Sequence, residues 1–206
     1  MMRYGLHIGD MIVKEPSGCT ENVTIGRSRT TSGLDRLSRI LSIVEIAAIV
    51  TDQDLNIVAE GPDIVINQPE AVLDNMEDWS KQTFRKNGLL EKIRASNISL
   101  QNAEDMVLAF LEKETPKGAC PLAGNTVHMD RRFISKYMPR IDQHLHYRIV
   151  DVSTVKELAA RWYPNDYAKA PRKKFTHRAL DDIRESIEEL RYYRSVIFKQ
   201  PDNGDS

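Results

Sequence analysis

The alternation of apolar and polar residues divides this chain at about Ser42. From there SIVEIAAIV is a nearly unbroken apolar, β-branched run, followed by the turn-like Thr51-Asp52-Gln53-Asp54, then LNIVAE, Gly61-Pro62 and DIVINQP. Runs of this length bounded by turn residues predict three strands in an antiparallel meander. After Pro69 the pattern becomes helical. Ser99 can N-cap a helix whose Leu100, Ala103, Met106, Val107, Phe110 and Leu111 follow the helical period until Pro116. A short strand around Pro121 to Gly124 comes next, and then a helix with Phe133, Ile134 and Tyr137 that Pro139 stops. YRIVDV is a further strand, and Thr154 with Glu157 has capping-box spacing at the start of VKELAARWY, which Pro164 closes. The last long element, about Arg178 to Ile197, sets Leu180, Ile183, Ile187, Leu190 and Ile197 on one face. Strands first in a meander and then alternating with helices predict an α/β domain, a mixed sheet with helices packed against it, over residues 41–198. Residues 1–40 hold no sustained period, and the Thr, Ser, Gly and Arg of CTENVTIGRSRTTSG read as loop or poorly ordered segment. Residues 199–206 read as a tail.

Composition narrows the function classes. The 206 residues are 41% hydrophobic and 29% charged, enough to bury one sizeable core. A formal charge of -1 supplies no global attraction to a polyanion, so nucleic-acid contact must be a local basic site. That disfavours a binder of long duplexes and permits an enzyme for short oligomers. Cys19 and Cys120 are too few and too distant for a disulfide framework or a zinc ribbon, and read as free thiols in a reducing compartment. No run reaches the roughly eighteen apolar residues of a membrane helix. The N-terminus lacks a secretory apolar core, and Asp10 and Glu15 weaken a transit-peptide reading, so an intracellular protein is expected.

Three segments carry a family resemblance: PLAGNTVHMDRRFISKYMP, HLHYRIVDVSTVKELAARWYP and HRALDDIRESIEELRYYR. With LNIVAEGPDIVINQP they cover most of the chain after Val44, colinear and correctly spaced, and the whole resembles oligoribonuclease, a 3′→5′ exoribonuclease of the DEDD group. The resemblance implies a ribonuclease H-like mixed sheet flanked by helices. It implies removal of 5′-mononucleotides from RNA a few residues long, in the cytoplasm or the mitochondrion. It also implies two divalent ions, Mg2+ or Mn2+, held by carboxylates, because hard cations prefer oxygen. By position Asp130 and Asp182 match metal-binding aspartates, and His177 matches the general base, a role that neutral imidazole suits near neutral pH. Taken singly, an acidic residue in a first helical turn more often only complements the helix dipole. The joint spacing is what points to chemistry. Asp151, alternating within its strand, reads as structural.

The same resemblance assigns the substrate's other end. Arg148, Ser153 and Thr154 match residues that grip a 5′-phosphate through a guanidinium fork and hydroxyls, and Thr126 stands where the family usually has serine. Tyr147 matches a tyrosine lent to the other subunit's site, which implies a homodimer. Trp79 matches an aromatic that stacks on a base, although a Trp at a helix end is more often a packing residue. Leu34, in Ser-Gly-Leu-Asp, matches a leucine that separates two bases, at a distance from Glu45 two residues longer than the family's. One departure is large. The family opens on a hydrophobic strand bearing Asp-x-Glu, two of its four metal-binding carboxylates, and here VTIGRSRTT stands instead, with no carboxylate between Glu21 and Asp35. Asp35 is the nearest substitute, since Glu45 falls in a strand of structural use. A weakly metal-binding site is therefore expected, along with a missing or altered first strand that opens a gap in the sheet. The alternative is a catalytically impaired relative that still dimerises and binds short RNA.

Overall fold

The computed structural model describes residues 5–8, 43–76, 78–172 and 178–199. Five strands form one sheet: β1 (Gly5–Ile8), β2 (Glu45–Thr51), β3 (Ile57–Val65), β4 (Pro121–Gly124) and β5 (His146–Asp151). The helices are α1 (Glu70–Asp74), α2 (Asp78–Lys86), α3 (Leu89–Ala95), α4 (Leu100–Glu114), α5 (Val127–Tyr137), α6 (Pro139–His144), α7 (Val152–Trp162), α8 (Pro164–Tyr167) and α9 (Ala179–Val196). The strand order is β3-β2-β1-β4-β5, antiparallel between β1, β2 and β3 and parallel from β1 through β4 to β5. This is a mixed α/β sheet flanked by helices.

β2 explains the layering. All seven of its residues are buried, as expected for a strand covered on both faces. Because side chains alternate along a strand, Ile46, Ala48 and Val50 meet Ala103, Val107 and Leu111 of α4, while Ala47 and Ile49 meet Ala179, Ile183 and Ile187 of α9. Val44, just before β2, joins Leu73, Phe84, Leu89, Leu90 and Ile93 in a separate cluster made by α1, α2 and α3. On the outer side, α9 is stapled to the β2–β3 hairpin by Arg184 on Glu60 and Arg194 on Asp54.

Three expectations change. The expected meander of three strands is two, because Gly61-Pro62 lies within β3 and does not break it. Ala47 pairs with Asp63 and Ile49 with Glu60, so Ala48 alone faces both Gly61 and Pro62 in a β-bulge. An edge strand tolerates proline there. Glycine is needed, since a Cβ at position 61 would sit 2.7 Å from the Phe110 ring. The capping box also fails: α7 begins earlier than Thr154, with Asp151 as N-cap accepting the Ser153 N–H at 2.9 Å. Finally, no gap opens in the sheet. Gly5–Ile8 takes the central place, pairing Leu6 with Val50 of β2 and with Leu122 of β4. Other elements match the expected positions, including α4, whose Ser99 side chain accepts the Asn102 N–H at 3.1 Å.

Candidate active site

β4 and β5 run parallel and end side by side, Gly124 opposite Asp151. Beyond the carboxyl ends of parallel strands the chain turns outward into helices, which leaves a crevice lined by residues just past each strand. Here those residues are Asn125 and Thr126 after β4 and Val152 to Thr154 after β5. Thr126 has φ 54° and ψ 29°, the left-handed region. A β-branched residue is costly there, and such strain persists only where surrounding bonds over-determine it. The Thr126 N–H supplies them, donating to Asp151 Oδ1 at 3.0 Å and to Ser153 Oγ at 2.9 Å.

A continuous polar network grows from this turn. The Thr126 and Ser153 hydroxyls are 3.1 Å apart, and Ser153 Oγ donates to Asn125 Oδ1 at 3.1 Å. The Asn125 amide donates in turn to Ser186 Oγ at 2.7 Å and to Glu189 Oε2 at 3.3 Å. Ser186 donates to the Asp182 carbonyl at 2.8 Å. Buried Glu189 also takes Lys156 Nζ at 3.0 Å and the Tyr193 hydroxyl at 3.5 Å; burial, then Glu189, pushes that phenol well above its ordinary range. With its proton given to Asn125, Ser153 is the acceptor of the Thr126 hydroxyl. A ligand takes the Thr126 proton only by replacing Ser153 as its acceptor.

Asp130 and Asp182 stand in the first turns of α5 and α9, 5% and 7% exposed, and each is engaged within the fold. Their burial is uncommon for carboxylates and gives them a low-dielectric setting in which charge interactions are strong. Oxygen donors of this kind fit a hard divalent ion; their number does not reach the usual set. Among the described residues no group of three or more His, Cys, Asp or Glu is placed to hold a metal. His177 and Leu34 lie outside the described residues.

The remaining candidates sit on β5 and α2. β5 is an edge strand whose Tyr147 is 73% exposed, and the Arg148 guanidinium lies 5.3 Å over the Tyr147 ring. Tyr147 also stacks on His146, whose Nδ1 accepts the Arg148 N–H at 3.1 Å. Thr154 is exposed on the first turn of α7, beside Ser153. Trp79 is half-exposed near the start of α2, the helix whose Phe84 belongs to the cluster around Val44. Asn125, His128, Ser186 and Glu189 were not picked out by sequence. His128 Nδ1 lies 3.3 Å from Asp151 Oδ2. The signal available for Asn125 was its place directly after a glycine-ended strand.

The sequence that builds this site, with two buried aspartates in helix first turns and a strand-end hydroxyl cluster, has relatives among known proteins. Residues 31–190 match the RNase_T exonuclease family model. The mitochondrial oligoribonuclease of Homo sapiens is 56% identical over 158 residues, 77% of this chain and 67% of its own. The chain belongs to the oligoribonuclease family of exonucleases. The probable oligoribonuclease of Drosophila melanogaster is 54% identical over 157 residues, covering 76% of this chain and 74% of its own. A bacterial oligoribonuclease, from Chromobacterium violaceum, is 50% identical over 157 residues, 76% and 86% of the two chains. Membership makes this an enzyme of exonuclease type by resemblance, with the ribonuclease H-like sheet that the strand order displays. Among the described residues, no helix is long and apolar enough to cross a membrane.

Proposed function

We propose that this chain is a 3′→5′ exoribonuclease that trims RNA oligomers of a few residues to 5′-mononucleotides. The observation that carries the reading is the Thr126–Ser153–Asn125–Ser186–Asp182 network, which ties a hydroxyl turn suited to a phosphate to the helix turn bearing a buried aspartate. Asp130 and Asp182 are the residues to hold divalent cations, whose chemistry is to polarise the scissile phosphate and activate water. His177 is assigned as general base. Arg148, with Thr126, Ser153 and Thr154, is assigned to the 5′-phosphate. The Arg148 guanidinium is held over Tyr147, which limits the rotamer entropy lost when it grips a phosphate. Leu34 and Trp79 are assigned to the bases. One clamp for the 5′-end at a set distance from the scissile bond favours short substrates over long ones.

A homodimer belongs to this proposal. β5 is a sheet edge with exposed Tyr147, Ile149 and Val150, and the surface continues over Leu158 and Trp162 of α7, Trp162 being 65% exposed. Exposed apolar edges of this kind are normally covered. A second copy of the chain brings Tyr147 to its partner's site. The family's mitochondrial relatives support a mitochondrial location as one alternative, and the cytoplasm is the other.

A specific observation favours a second reading, an impaired relative that retains fold, dimer and RNA binding. The central strand reads Gly5-Leu6-His7-Ile8, without an acidic residue, where the family carries Asp-x-Glu. Two divalent ions bring four positive charges, and Asp130 with Asp182 offset two. The test is hydrolysis of a 5′-phosphorylated dinucleotide in Mn2+ by this chain and by a version with an Asp-x-Glu strand ahead of Leu34. A gain of two to three orders of magnitude, about 2.7–4 kcal/mol of barrier, is expected from the graft. Full activity without it, lost in Asp35→Asn, assigns the missing ligand to Asp35 and refutes the impaired reading. No dinucleotide cleavage by either protein refutes the nuclease reading.

A further inference from the structure

Glu45 opens β2 and is 1% exposed, a carboxylate inside an otherwise apolar layer. Its carboxylate reaches across the sheet face to the start of α9. Oε1 takes Arg178 Nε at 2.8 Å and Nη2 at 2.6 Å, and Oε2 takes the Ala179 N–H at 3.1 Å. Arg178 is the N-cap residue of α9 but has no side-chain cap bond of its own. The orphan N–H of the first turn is therefore satisfied by a carboxylate from a strand remote in sequence. The Arg178 carbonyl then accepts the Asp182 N–H at 2.9 Å. The guanidinium also faces Asp63 at 3.9 Å, and the Glu45 bond first, with Asp63 and Asp181 assisting, holds Arg178 more firmly protonated than an ordinary arginine.

Packing does not call for this pair. α9 already seats on β2 through Ala47, Ile49, Ala179, Ile183 and Ile187. A buried ion pair is a poor source of stability compared with apolar replacements of similar volume, but it is directional. Here it sets the rotation of the first turn of α9 against the sheet. Ser186, itself bonded to Asn125, holds the same turn at the Asp182 carbonyl. We propose that Glu45, through Arg178, is a positioning residue that aims the Asp182 carboxylate at the cation site. This inference rests on the assignment of Asp182 as a metal-holding residue made above.

The experiment compares Glu45→Gln and Arg178→Lys with Glu104→Gln. Glu104 is an equally buried carboxylate, bound by Arg140 between α4 and α6, on the other face of the sheet. Three quantities are read: thermal midpoint, Mn2+ affinity from the signal of the free ion in electron paramagnetic resonance, and kcat and KM on a 5′-phosphorylated dinucleotide. Supporting groups behind metal ligands typically change affinity or activity by about 10–100-fold. Loss of that size in Mn2+ affinity and kcat is expected for Glu45→Gln, with a smaller loss for Arg178→Lys and KM within about twofold for both. Glu104→Gln should lower the midpoint at least as much and leave Mn2+ affinity and kcat unchanged. Equal losses in Glu45→Gln and Glu104→Gln overturn the positioning role. Failure of both Glu45→Gln and Arg178→Lys to fold assigns the pair to the fold itself and also overturns it. A wild-type protein that neither binds Mn2+ nor cleaves the dinucleotide instead sinks the functional reading underneath, and the inference with it.

Discussion

Replacing Thr126 separates backbone strain from hydroxyl chemistry in the candidate site. The residue holds φ 54°, and an L-residue in the left-handed region costs about 1–2 kcal/mol. Thr126→Ala keeps that cost, because alanine still has a Cβ, and loses the hydroxyl that lies 3.1 Å from Ser153 Oγ, an interaction worth roughly 0.5–1.5 kcal/mol. Thr126→Gly loses the same hydroxyl but removes the strain. Against that gain stands the extra freedom of glycine in the unfolded chain, about 0.4–1 kcal/mol. The balance leaves Thr126→Gly more stable than Thr126→Ala by roughly 0.5–1 kcal/mol, or about 1–4 °C in Tm for a chain of this size. The forked N–H bonds to Asp151 and Ser153 are backbone-donated and survive in both variants. Thermal melts followed by circular dichroism at fixed protein concentration give the difference. Calorimetric titration with a 5′-phosphorylated dinucleotide should show the two variants weakened alike, with Thr126→Ser close to wild type. A Thr126→Ala protein as stable as Thr126→Gly refutes the strain argument; undiminished binding by both refutes a hydroxyl role toward phosphate.

Arg148→Ala should weaken binding of 5′-phosphorylated dinucleotides by about 1.5–3 kcal/mol, the usual worth of a charge-assisted hydrogen bond, and hardly change unphosphorylated ones. Equal loss for both sinks the phosphate-cap assignment. Sedimentation at micromolar concentration should return about twice the 23.5 kDa chain mass, and Tyr147→Glu with Trp162→Glu should return the single mass. A wild-type monomer refutes the shared site. The Asp52 carboxylate accepts from the Asn56 side chain and from the Asn56 and Asp54 N–H groups, and the Asn56 side-chain bond leads in holding its pKa below the ordinary value. A depressed folded-state value means stability that is complete above the unfolded pKa of about 3.9 and is lost as pH falls through the folded one. Asp52→Asn should therefore flatten the acid limb of the stability curve and leave its neutral slope unchanged; identical limbs count against it.

What could be read from sequence tracks how local each cause is. The continuous apolar run of β2 and the Ser99 cap of α4 are local, and both occur where the pattern puts them. Gly61-Pro62 has the chemistry of a turn, but tertiary contact makes it a bulge: the Phe110 ring packs against the bare Gly61 backbone and the strand continues. Thr154 and Glu157 have the spacing of a capping box, yet Asp151 is already extended at the end of β5 and closer to the first free N–H groups, so it wins the cap. In the site, Thr126 and Ser153 could be named from resemblance. The amide that joins them to α9 could not, because Asn125 and Ser186 are 61 residues apart and neither residue type announces a partner.

The least legible element is also the most consequential. Gly5–Ile8 carries too few residues for a period to show, and its strand character comes from the slots on either side, Val50 and Ile49 of β2 and Leu122 and Ala123 of β4. A central slot demands extended backbone with free N–H and C=O groups on both edges, and almost any short segment that reaches it meets that demand. Two-metal chemistry demands carboxylates at stated positions on that same strand. The two requirements are separable, and under the proposed function this chain separates them: the hydrogen-bond ladder is closed by residues with no acidic side chain, while Asp130, Asp182 and the Asn125 network lie just past the other strands. A protein in this condition should fold, and should bind a 5′-phosphate if the proposed assignment of Arg148 and Thr126 holds, independently of whether it cleaves. That is why comparing cleavage before and after grafting Asp-x-Glu, with binding measured alongside, discriminates an enzyme from its impaired relative, whereas stability or substrate affinity alone does not.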